Sequence, residues 1–386
     1  MMGNRYGYLL ILKIVACIFS CTASSDMVNE FNSIEITRKW SIPLDSLTIS
    51  RNFYYYSVNG REYIYQLNRI LMAIQVYSLN EENLLKKIYL ERERPNGVGN
   101  PTSIHVINQD SILVFASKEF RLSLINKDAE KLNSYILLNS KEFKDNKLRD
   151  FKNIYTGEVN DVLPTSNADV LLIKDKLYVK TYPFKNPILS PQKFYDNAFS
   201  NMIIDLNTGE ISHNMPFPDS YKGKVYPVQF SIEYYRVYNP NRNTFIYSFS
   251  ADKYLYEYTL DGKLLAKHLA DSDKFLEIPS INRKSGYDSG EDYQFFLEKT
   301  RFGKVFYNLN KDLYYRYIHY PVYKANKKQP IIKQSIIILD NKFNKLNELS
   351  LSEEYSYNFR FVNKYGLVSK YITESENELV LHQLEF

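Results

Sequence analysis

A hairpin pattern that recurs five times along the chain constrains the fold more than any other feature. Each copy is an apolar strand, a turn that contains Asn, Asp or Gly, and a second strand. Turns such as 207–209 and 261–262 supply the positive φ that tight hairpins require. Because helical periodicity is scarce, this repeat predicts an all-β fold. The five copies span residues 74–88, 120–136, 202–213, 254–267 and 335–349.

Further strand candidates precede these hairpins. Residues 104–107 and 112–115 precede the second copy, and residues 230–235 and 244–249 precede the fourth. Four antiparallel strands per repeat is the pattern of a β-propeller blade. With the strands labelled A to D from the axis outward, five complete blades fit between residues 53 and 351.

A sixth blade is predicted from the two ends of the chain. Strands near 358–363, 365–371 and 378–386 supply three of its strands, and residues 34–43 supply the outer one. Pairing the chain ends in one blade removes two free strand edges, which otherwise invite aggregation. We therefore predict a six-bladed β-propeller of four-stranded antiparallel blades, closed by pairing the N-terminal strand with the C-terminal blade.

The first twenty residues have the pattern of a secretory signal. They carry Arg5 and Lys13 and no acidic residue, around an apolar stretch too short to span a membrane. The tetrad 18–21 (Ile-Phe-Ser-Cys) matches a bacterial lipobox, although the bulky Phe19 is unusual there. We expect a signal peptide over 1–20, a lipidated Cys21 with a tether over 21–30, and a single propeller domain over 31–386. An ordinary secretory signal with a chance cysteine is the alternative.

The cysteine count agrees with lipidation. Cys17 lies in the segment that a signal peptidase would remove, which leaves Cys21 alone in the mature chain. No disulfide, zinc cluster or cysteine nucleophile is then possible within one chain. We expect a monomer held by its N-terminal lipid at a bacterial membrane of the cell envelope. Its place would be the outer membrane, either periplasmic or surface-exposed, and its partner an envelope protein or a glycan.

Composition and charge narrow the class of partner. A hydrophobic content of 44% excludes disorder and permits a large core. Removal of the signal takes two of the 49 basic residues and none of the 44 acidic ones, which lowers the formal charge from +5 to +3. This charge is too small, and too scattered, to indicate a nucleic-acid partner.

Three sequence features resemble a known family. They are the lipobox, the turn 95–99 (Pro-Asn-Gly-Val-Gly) leading into 101–104 (Pro-Thr-Ser-Ile), and the run 312–316 (Asp-Leu-Tyr-Tyr-Arg). With these the chain resembles Bacteroidetes lipoproteins that contain a domain of unknown function and a TolB-like six-bladed propeller. The family's usual glycine before the Pro-Asn-Gly turn is Arg94 here. The resemblance implies a fold and a location, and it implies no catalytic residues.

One face of the predicted propeller is the candidate binding surface. The D-to-A and B-to-C connections share a face, and the long loops fall mostly there, where function is commonest. Arginine forks match planar oxyanions, so the arginines of this face are candidates for binding an acidic glycan or a carboxylate. The alternatives are a solvated basic loop balanced by acids and, for Arg316, pairing with a neighbouring blade. The candidates are Arg92, Arg94, Arg149, Arg283 and Arg316, and the long loops are 90–103, 138–166, 184–199, 217–229, 270–292 and 321–334.

Motifs for metal binding and catalysis are weak. Asp288, Glu291 and Asp292 form an acidic loop whose oxygens suit calcium, but their spacing does not fit an EF-hand. The five histidines are scattered, and nucleophile-elbow, phosphate-loop and zinc-protease motifs are missing from the sequence. We therefore predict no metal and no cofactor.

Two functions remain open at this point. The favoured function is a binding or protein-interaction module that uses the long-loop face and requires no catalysis. The second is an envelope enzyme, a glycan or lactone hydrolase or lyase, with its site in the axial funnel. A ring of Asp, Glu, His or Asn at the funnel mouth would favour the enzyme, and an uncharged mouth the binding module.

Overall fold

The protein is described from a computed structural model of the full chain. The structure describes residues 33–45, 53–137, 162–164, 170–183, 188, 191–196, 199–281, 289–324 and 329–386.

Six antiparallel sheets are arranged as the blades of a propeller. Blades I and II contain β2 (Phe53–Val58), β3 (Arg61–Asn68), β4 (Ala73–Ser78), β5 (Asn83–Tyr89), β6 (Ser103–Asn108), β7 (Ser111–Ala116), β8 (Arg121–Ile125) and β9 (Lys131–Ile136). Blade III contains β10 (Val162–Pro164), β11 (Val170–Ile173), β12 (Lys176–Pro183), β13 (Phe199–Asp205) and β14 (Ile211–Pro216). Its inner position is divided, because β10 and β11 pair with successive parts of β12.

The remaining blades complete the ring. Blades IV and V contain β15 (Tyr234–Asn239), β16 (Thr244–Phe249), β17 (Tyr254–Thr259), β18 (Leu264–Leu269), β19 (Arg301–Asn308), β20 (Leu313–Val322), β21 (Ile331–Leu339) and β22 (Lys345–Leu351). Blade VI contains β23 (Tyr355–Val362), β24 (Leu367–Tyr371), β25 (Glu378–Glu385) and β1 (Glu35–Pro43). Its strand order, β1-β25-β24-β23, confirms the predicted closure.

Closure pairs the outer strand of blade VI and buries two of its side chains, Trp40 and Ile42. Trp40 lies opposite Leu381 in the β1–β25 ladder and is 1% exposed. On the inner side of the ring, the Tyr55 ring of blade I stacks on the Phe361 ring of blade VI, with centroids 4.0 Å apart. The ladder therefore holds the N-terminal strand in the last blade, and aromatic packing joins the last blade to the first.

Aromatic side chains fill the space between blades. At the junction of blades III and IV, the Phe217 ring contacts the rings of Tyr234 and Phe249, each with centroids 5.5 Å apart. Such pairs contribute about 0.5–1.5 kcal/mol each beyond the area that they bury. Tyrosine is well suited to these positions, because Tyr234 also places its hydroxyl against the carbonyl oxygens of Thr181 and Ser200. The abundance of tyrosine in the sequence thus has a structural use.

The connections on the two faces differ in length. A-to-B and C-to-D turns contain two to five residues, and we call their side the short-turn face. The opposite side, the long-loop face, carries the longer connections and the helices α1 (Pro191–Asp196), α2 (Val228–Ile232) and α3 (Ser289–Glu298). None of the helices in the described ranges is long and apolar enough to cross a membrane.

Two helices lie where the sequence predicts a strand and a loop. The predicted strand 230–235 is α2 up to Ile232, and the predicted loop 270–292 ends in α3. Pro227 at the start of α2 favours the helical entry, and acidic residues in the first turn of α3 complement its dipole. The two helices pack through Phe230, whose ring centroid lies 5.0 Å from that of Phe296.

Candidate functional site

Ionisable side chains from three blades meet near the axis on the long-loop side. We call Lys180, Glu233, Tyr235, Arg301 and His319 the mouth cluster. Glu233 immediately precedes β15, and Arg301 is the first residue of β19, so both stand at the long-loop end of innermost strands. His319 of β20 is the register partner of Arg301. Lys180 reaches the group from β12 of blade III.

Lys180 joins blade III to blade IV. Its Nζ donates to the backbone carbonyl of Tyr234 and lies 4.4 Å and 5.1 Å from the ring centroids of Tyr234 and Tyr235. Cation–π contacts of this kind hold an ammonium group in place while it remains half-buried. The amino group is therefore fixed beside the mouth by blade IV.

Arg301 is held from the other side by α3. Its Nη1 donates to the carbonyl oxygen of Phe296 at 3.2 Å, and its guanidinium carbon lies 4.0 Å from the Phe296 ring centroid. A cation at a helix C-terminus also complements the helix dipole. The helix thus fixes the arginine at the blade IV–V side of the mouth, where it is 7% exposed.

The imidazole of His319 packs against backbone. A Cβ at Gly303 would lie 3.2 Å from its Nε2 and 3.3 Å from the Cβ of Tyr317. A strand irregularity between Phe302 and Val305 accompanies this approach. Glycine at 303 therefore leaves room for the histidine at the mouth.

Burial sets the protonation of the mouth cluster. It raises the pKa of Glu233, although the charges of Arg301 and Lys180 and a hydrogen bond from the Tyr235 hydroxyl partly oppose this. Burial also raises the pKa of Tyr235 and lowers the pKa of His319 well below its usual value, the latter with help from Arg301 and Arg360. The mouth cluster therefore places two cations, Lys180 and Arg301, beside the neutral imidazole of His319. It also contains the Glu233 carboxyl, which holds its proton more tightly than usual.

A cleft of about 450 Å³ lies on the same face, between α2 and α3. Pro227, Ile281 and Phe295 form its apolar wall, and its polar residues are mainly acids. Gln294 donates from its Nε2 to Oε1 of Glu298 at 2.7 Å. The acidic residues of the cleft are Glu291, Asp292 and Glu298.

The structure corrects the assignment of Arg316 to a binding face. Its side chain is 0% exposed and lies between blades V and IV, with its guanidinium carbon 3.6 Å from the Phe302 ring centroid. Its nitrogens donate to the Ser248 hydroxyl and to the carbonyl oxygens of Asp252, Lys253, Tyr254 and Ala270. The alternative of pairing with a neighbouring blade is confirmed, and Arg316 cannot contact a ligand in solution.

Arg92 and Arg94 lie apart from the mouth cluster. Both are exposed, in the connection between blades I and II, and Nη1 of Arg94 is 3.9 Å from Oε1 of Glu91. Asn96, at the tip of this connection, accepts a hydrogen bond from the backbone N–H of Lys131 at the start of β9. The tip therefore packs against the outer strand of blade II. Because Arg316 belongs to blade V, the structure does not bring these predicted arginines together.

Other predicted residues lie outside the described ranges. These are Cys21, Arg149, Arg283 and Asp288. Among the residues that the structure does describe, no three His, Cys, Asp or Glu side chains lie close enough to hold a metal ion.

Sequence reasoning missed the mouth cluster because its members are distant in the chain. Seven strands lie between β12, which carries Lys180, and β20, which carries His319, and each residue is unremarkable in its own strand. Two local signals were present. Glycine inside the apolar strand 301–308 indicates a close approach, and an arginine after a helix indicates C-terminal capping.

Comparison with known proteins identifies the family. The model of a domain of unknown function, DUF4221, matches residues 33–350. A DUF4221 member from Bacteroides vulgatus has a crystal structure similar to 92% of this chain and 98% of its own, with 20% identity and a TM-score of 0.73. A putative exported protein from Bacteroides fragilis is similar over 92% of this chain and 95% of its own, with 11% identity and a TM-score of 0.55.

At these identities the structural likeness establishes the fold. No functionally curated protein matches the chain. The expectation of a family with a domain of unknown function and a six-bladed propeller is confirmed, and the two similar structures come from Bacteroides species. Because the family model covers most of its length, the chain belongs to the DUF4221 family.

Proposed function

We propose that the protein is a cell-envelope binding module that uses the long-loop face of its propeller. The mouth cluster is the ligand site in this proposal, and the ligand is a glycan or small molecule that carries a carboxylate. A lipid on Cys21 would hold the module at a bacterial membrane. The observation that carries the proposal is that the charges of Lys180 and Arg301, from blades III and V, both act on the carboxyl of Glu233.

The chemistry of the cluster supports an anionic ligand. Two fixed cations supply charge-assisted donors for a carboxylate. Burial raises the pKa of Glu233 and so favours its protonated form, and a protonated carboxyl donates a hydrogen bond where an ionised one would repel the ligand. The Tyr235 hydroxyl adds a further polar group at the same place.

Catalysis in the funnel has less support. Hydrolysis of a glycosidic bond ordinarily uses two carboxyl groups on either side of the scissile bond, and the mouth cluster supplies one. The described residues also lack a metal-binding group that would activate a water molecule. We therefore favour binding without turnover.

Ligand titration of matched variants tests this proposal. The probes are D-glucuronate and neutral D-glucose, with calorimetry for affinity and NMR for any chemical conversion. We expect binding of glucuronate and a loss of about tenfold or more in Lys180→Gln, since one charge-assisted hydrogen bond contributes about 1.5–3 kcal/mol. Glu233→Gln preserves donation by a neutral group, so it should bind nearly as well as the wild type.

Lys127→Gln is the matched control. Lys127 is an exposed lysine in the C-to-D turn of blade II, on the short-turn face, so its loss should leave glucuronate binding unchanged. Equal binding by all variants, or tighter binding of glucose, would overturn the choice of site. Conversion of the probe by the wild type would overturn the assignment as a binding module.

A further inference from the structure

A second cavity opens on the opposite, short-turn face. It has a volume of about 570 Å³ and lies where the β13–β14 hairpin of blade III meets the tip of the β17–β18 hairpin of blade IV. We call it the inter-blade groove. It shares no residue with the mouth cluster or with the cleft between α2 and α3.

The walls of the inter-blade groove are fixed by contacts between the blades. Nδ2 of Asn214 in β14 donates to the carbonyl oxygen of Leu260 at 2.8 Å. Gly262 has a φ of +94°, and a Cβ there would lie 3.1 Å from the Cβ of Asn214. The blade IV tip is therefore seated directly on blade III, and the groove exists before any ligand arrives.

The lining combines an apolar base with polar groups of both signs. Ile173, Tyr178, Ile203 and Leu260 form the base, and three aspartates and two lysines stand among the polar residues. Because the formal charges of three aspartates and two lysines nearly cancel, the groove should not strongly prefer a cation or an anion. The aspartates are Asp175, Asp205 and Asp261, and the lysines are Lys174 and Lys176.

The acceptors of the groove are set in position by their own turns. The Asp205 carboxylate accepts hydrogen bonds from the backbone N–H groups of Asn207 and Thr208 at 2.9 Å and 3.1 Å. Asp261 accepts one from the Thr259 hydroxyl. These bonds lower the pKa of both carboxyls. Each carboxylate is consequently ionised and oriented, with further lone pairs available to a ligand.

We propose that the inter-blade groove binds a neutral, polyhydroxylated ligand, one or two sugar units in size. Vicinal hydroxyl groups both donate and accept, and they match carboxylates, amides and ammonium groups placed side by side. The apolar base meets the C–H face of a sugar ring, and the volume lies within the usual range for small-ligand sites. A charged ligand would instead meet like charges wherever it bound.

Ligand-detected NMR with maltose as the probe tests the inference. Saturation transfer to millimolar maltose should be seen with the wild-type chain and weakened about tenfold in affinity by Asp205→Asn. Asparagine also forms the Asx turn that Asp205 makes, so this change removes a charge and keeps the fold. Circular dichroism checks that the fold is intact.

Blade V offers a matched control for this substitution. Asp340 occupies the equivalent turn and accepts from the backbone N–H groups of Lys342 and Asn344, each at 2.8 Å, but it does not line the groove. Asp340→Asn should leave maltose binding unchanged. No transfer to maltose, equal effects of the two substitutions, or preferential transfer to lysine or glutamate used as charged probes would overturn the inference.

Paramagnetic labelling locates the bound sugar independently. A nitroxide on Ser212→Cys, in the chain with Cys17 and Cys21 replaced by serine, would stand at the groove. It should broaden the maltose signals strongly, whereas the same label on Ser375→Cys, on the long-loop face, should not. Broadening by the Ser375 label alone would place the sugar on the wrong face and overturn the inference.

Discussion

Nδ2 of Asn363 donates to Oε1 of Glu62 at 3.2 Å and so connects the last blade with the first. Oε1 of Glu62 also accepts from the Tyr55 hydroxyl at 2.8 Å, and Asn363 uses its own side-chain oxygen to hold the turn before β24. A hydrogen bond between a buried amide and a buried carboxylate therefore closes the ring together with the β1–β25 ladder. The ring is closed at its inner side as well as at its outer edge.

Trp40 should carry much of the stability of the outer closure. Trp40→Ala leaves a large cavity beneath β1, and we expect the free energy of unfolding to fall by about 3–5 kcal/mol. Chemical denaturation measures this change. Ile36→Ala on the same strand is the control, because Ile36 is 44% exposed and should change stability by less than about 0.5 kcal/mol. Similar losses in the two variants would contradict the packing described for β1.

Arg316 should be required for the junction of blades IV and V. Arg316→Met removes the donor for four carbonyl oxygens and a hydroxyl, and a buried acceptor without a partner costs about 1–3 kcal/mol. We expect a loss of about 3 kcal/mol or more in urea denaturation. Arg92→Met, at an exposed arginine, should be nearly neutral. A stable Arg316→Met protein would show that the guanidinium is dispensable.

Local sequence patterns predicted the blades and the ring, because strand alternation and turn chemistry are properties of neighbouring residues. The outer strand 34–43 was recognisable since blade VI lacked one strand and this segment could supply it. Which side chains meet across blades was not predictable in the same way. Arg316 lies between Tyr315 and Tyr317 in β20. The alternation of side chains along a strand does not indicate whether an arginine packs between two blades or faces the funnel.

The mouth cluster shows the same limit for function. Glu233 and Arg301 come together because they precede or begin β15 and β19, the inner strands of adjacent blades. The helices α2 and α3 lead into these strands, whereas the sequence predicts a strand over part of α2. The start of α3 did carry a readable signal, Ser289 followed by Glu291 and Asp292 in the first turn. In the sequence these acidic side chains offer oxygens that suit calcium, although no metal is predicted, and in the structure their position suits the helix dipole.

His319 should make the fold sensitive to mild acid. Its folded-state pKa lies well below 6.5 through burial, whereas in the unfolded chain it titrates near about 6.5. Below about pH 6.5 the imidazole is therefore protonated in the unfolded chain and neutral in the folded protein. The stability that is present above about pH 6.5 is lost as the pH falls towards the folded-state pKa. One such proton changes the free energy of unfolding by up to about 1.4 kcal/mol per pH unit.

Comparison of His319→Gln with the wild type isolates this contribution. Denaturation curves between pH 7 and pH 5 should show a shallower loss of stability for the variant, because other groups act equally in both proteins. Above neutral pH the two proteins should show parallel pH dependence, which is the internal control. An identical slope below pH 6.5 would mean that the imidazole is protonated in the folded protein.

Cys21 should carry the lipid anchor. Mass spectrometry of the membrane fraction is expected to find acyl chains on Cys21, and Cys21→Ala should release the protein from the membrane. Cys17→Ala is the control, because Cys17 lies within the segment expected to be removed. A soluble mature form whose N-terminus lies upstream of Cys21 would contradict lipidation.

An anchor at Cys21 would orient the propeller. Glu35, at the start of β1, pairs with Glu385, at the end of β25, and both lie at the short-turn face. Because Glu35 is only 14 positions after Cys21 in the sequence, a lipid on Cys21 would keep that face nearer the membrane. The long-loop face and its mouth cluster should then point away from the lipid.

Fluorescence quenching on vesicles measures this orientation. A dye at Thr208→Cys, in a C-to-D turn, should be quenched by nitroxide-labelled lipids more strongly than a dye at Ser375→Cys, in the connection between β24 and β25. Both positions are exposed, so the comparison depends on distance and not on burial. Stronger quenching at Ser375 would mean that the long-loop face meets the membrane, and its ligand would then have to be sought at the bilayer surface.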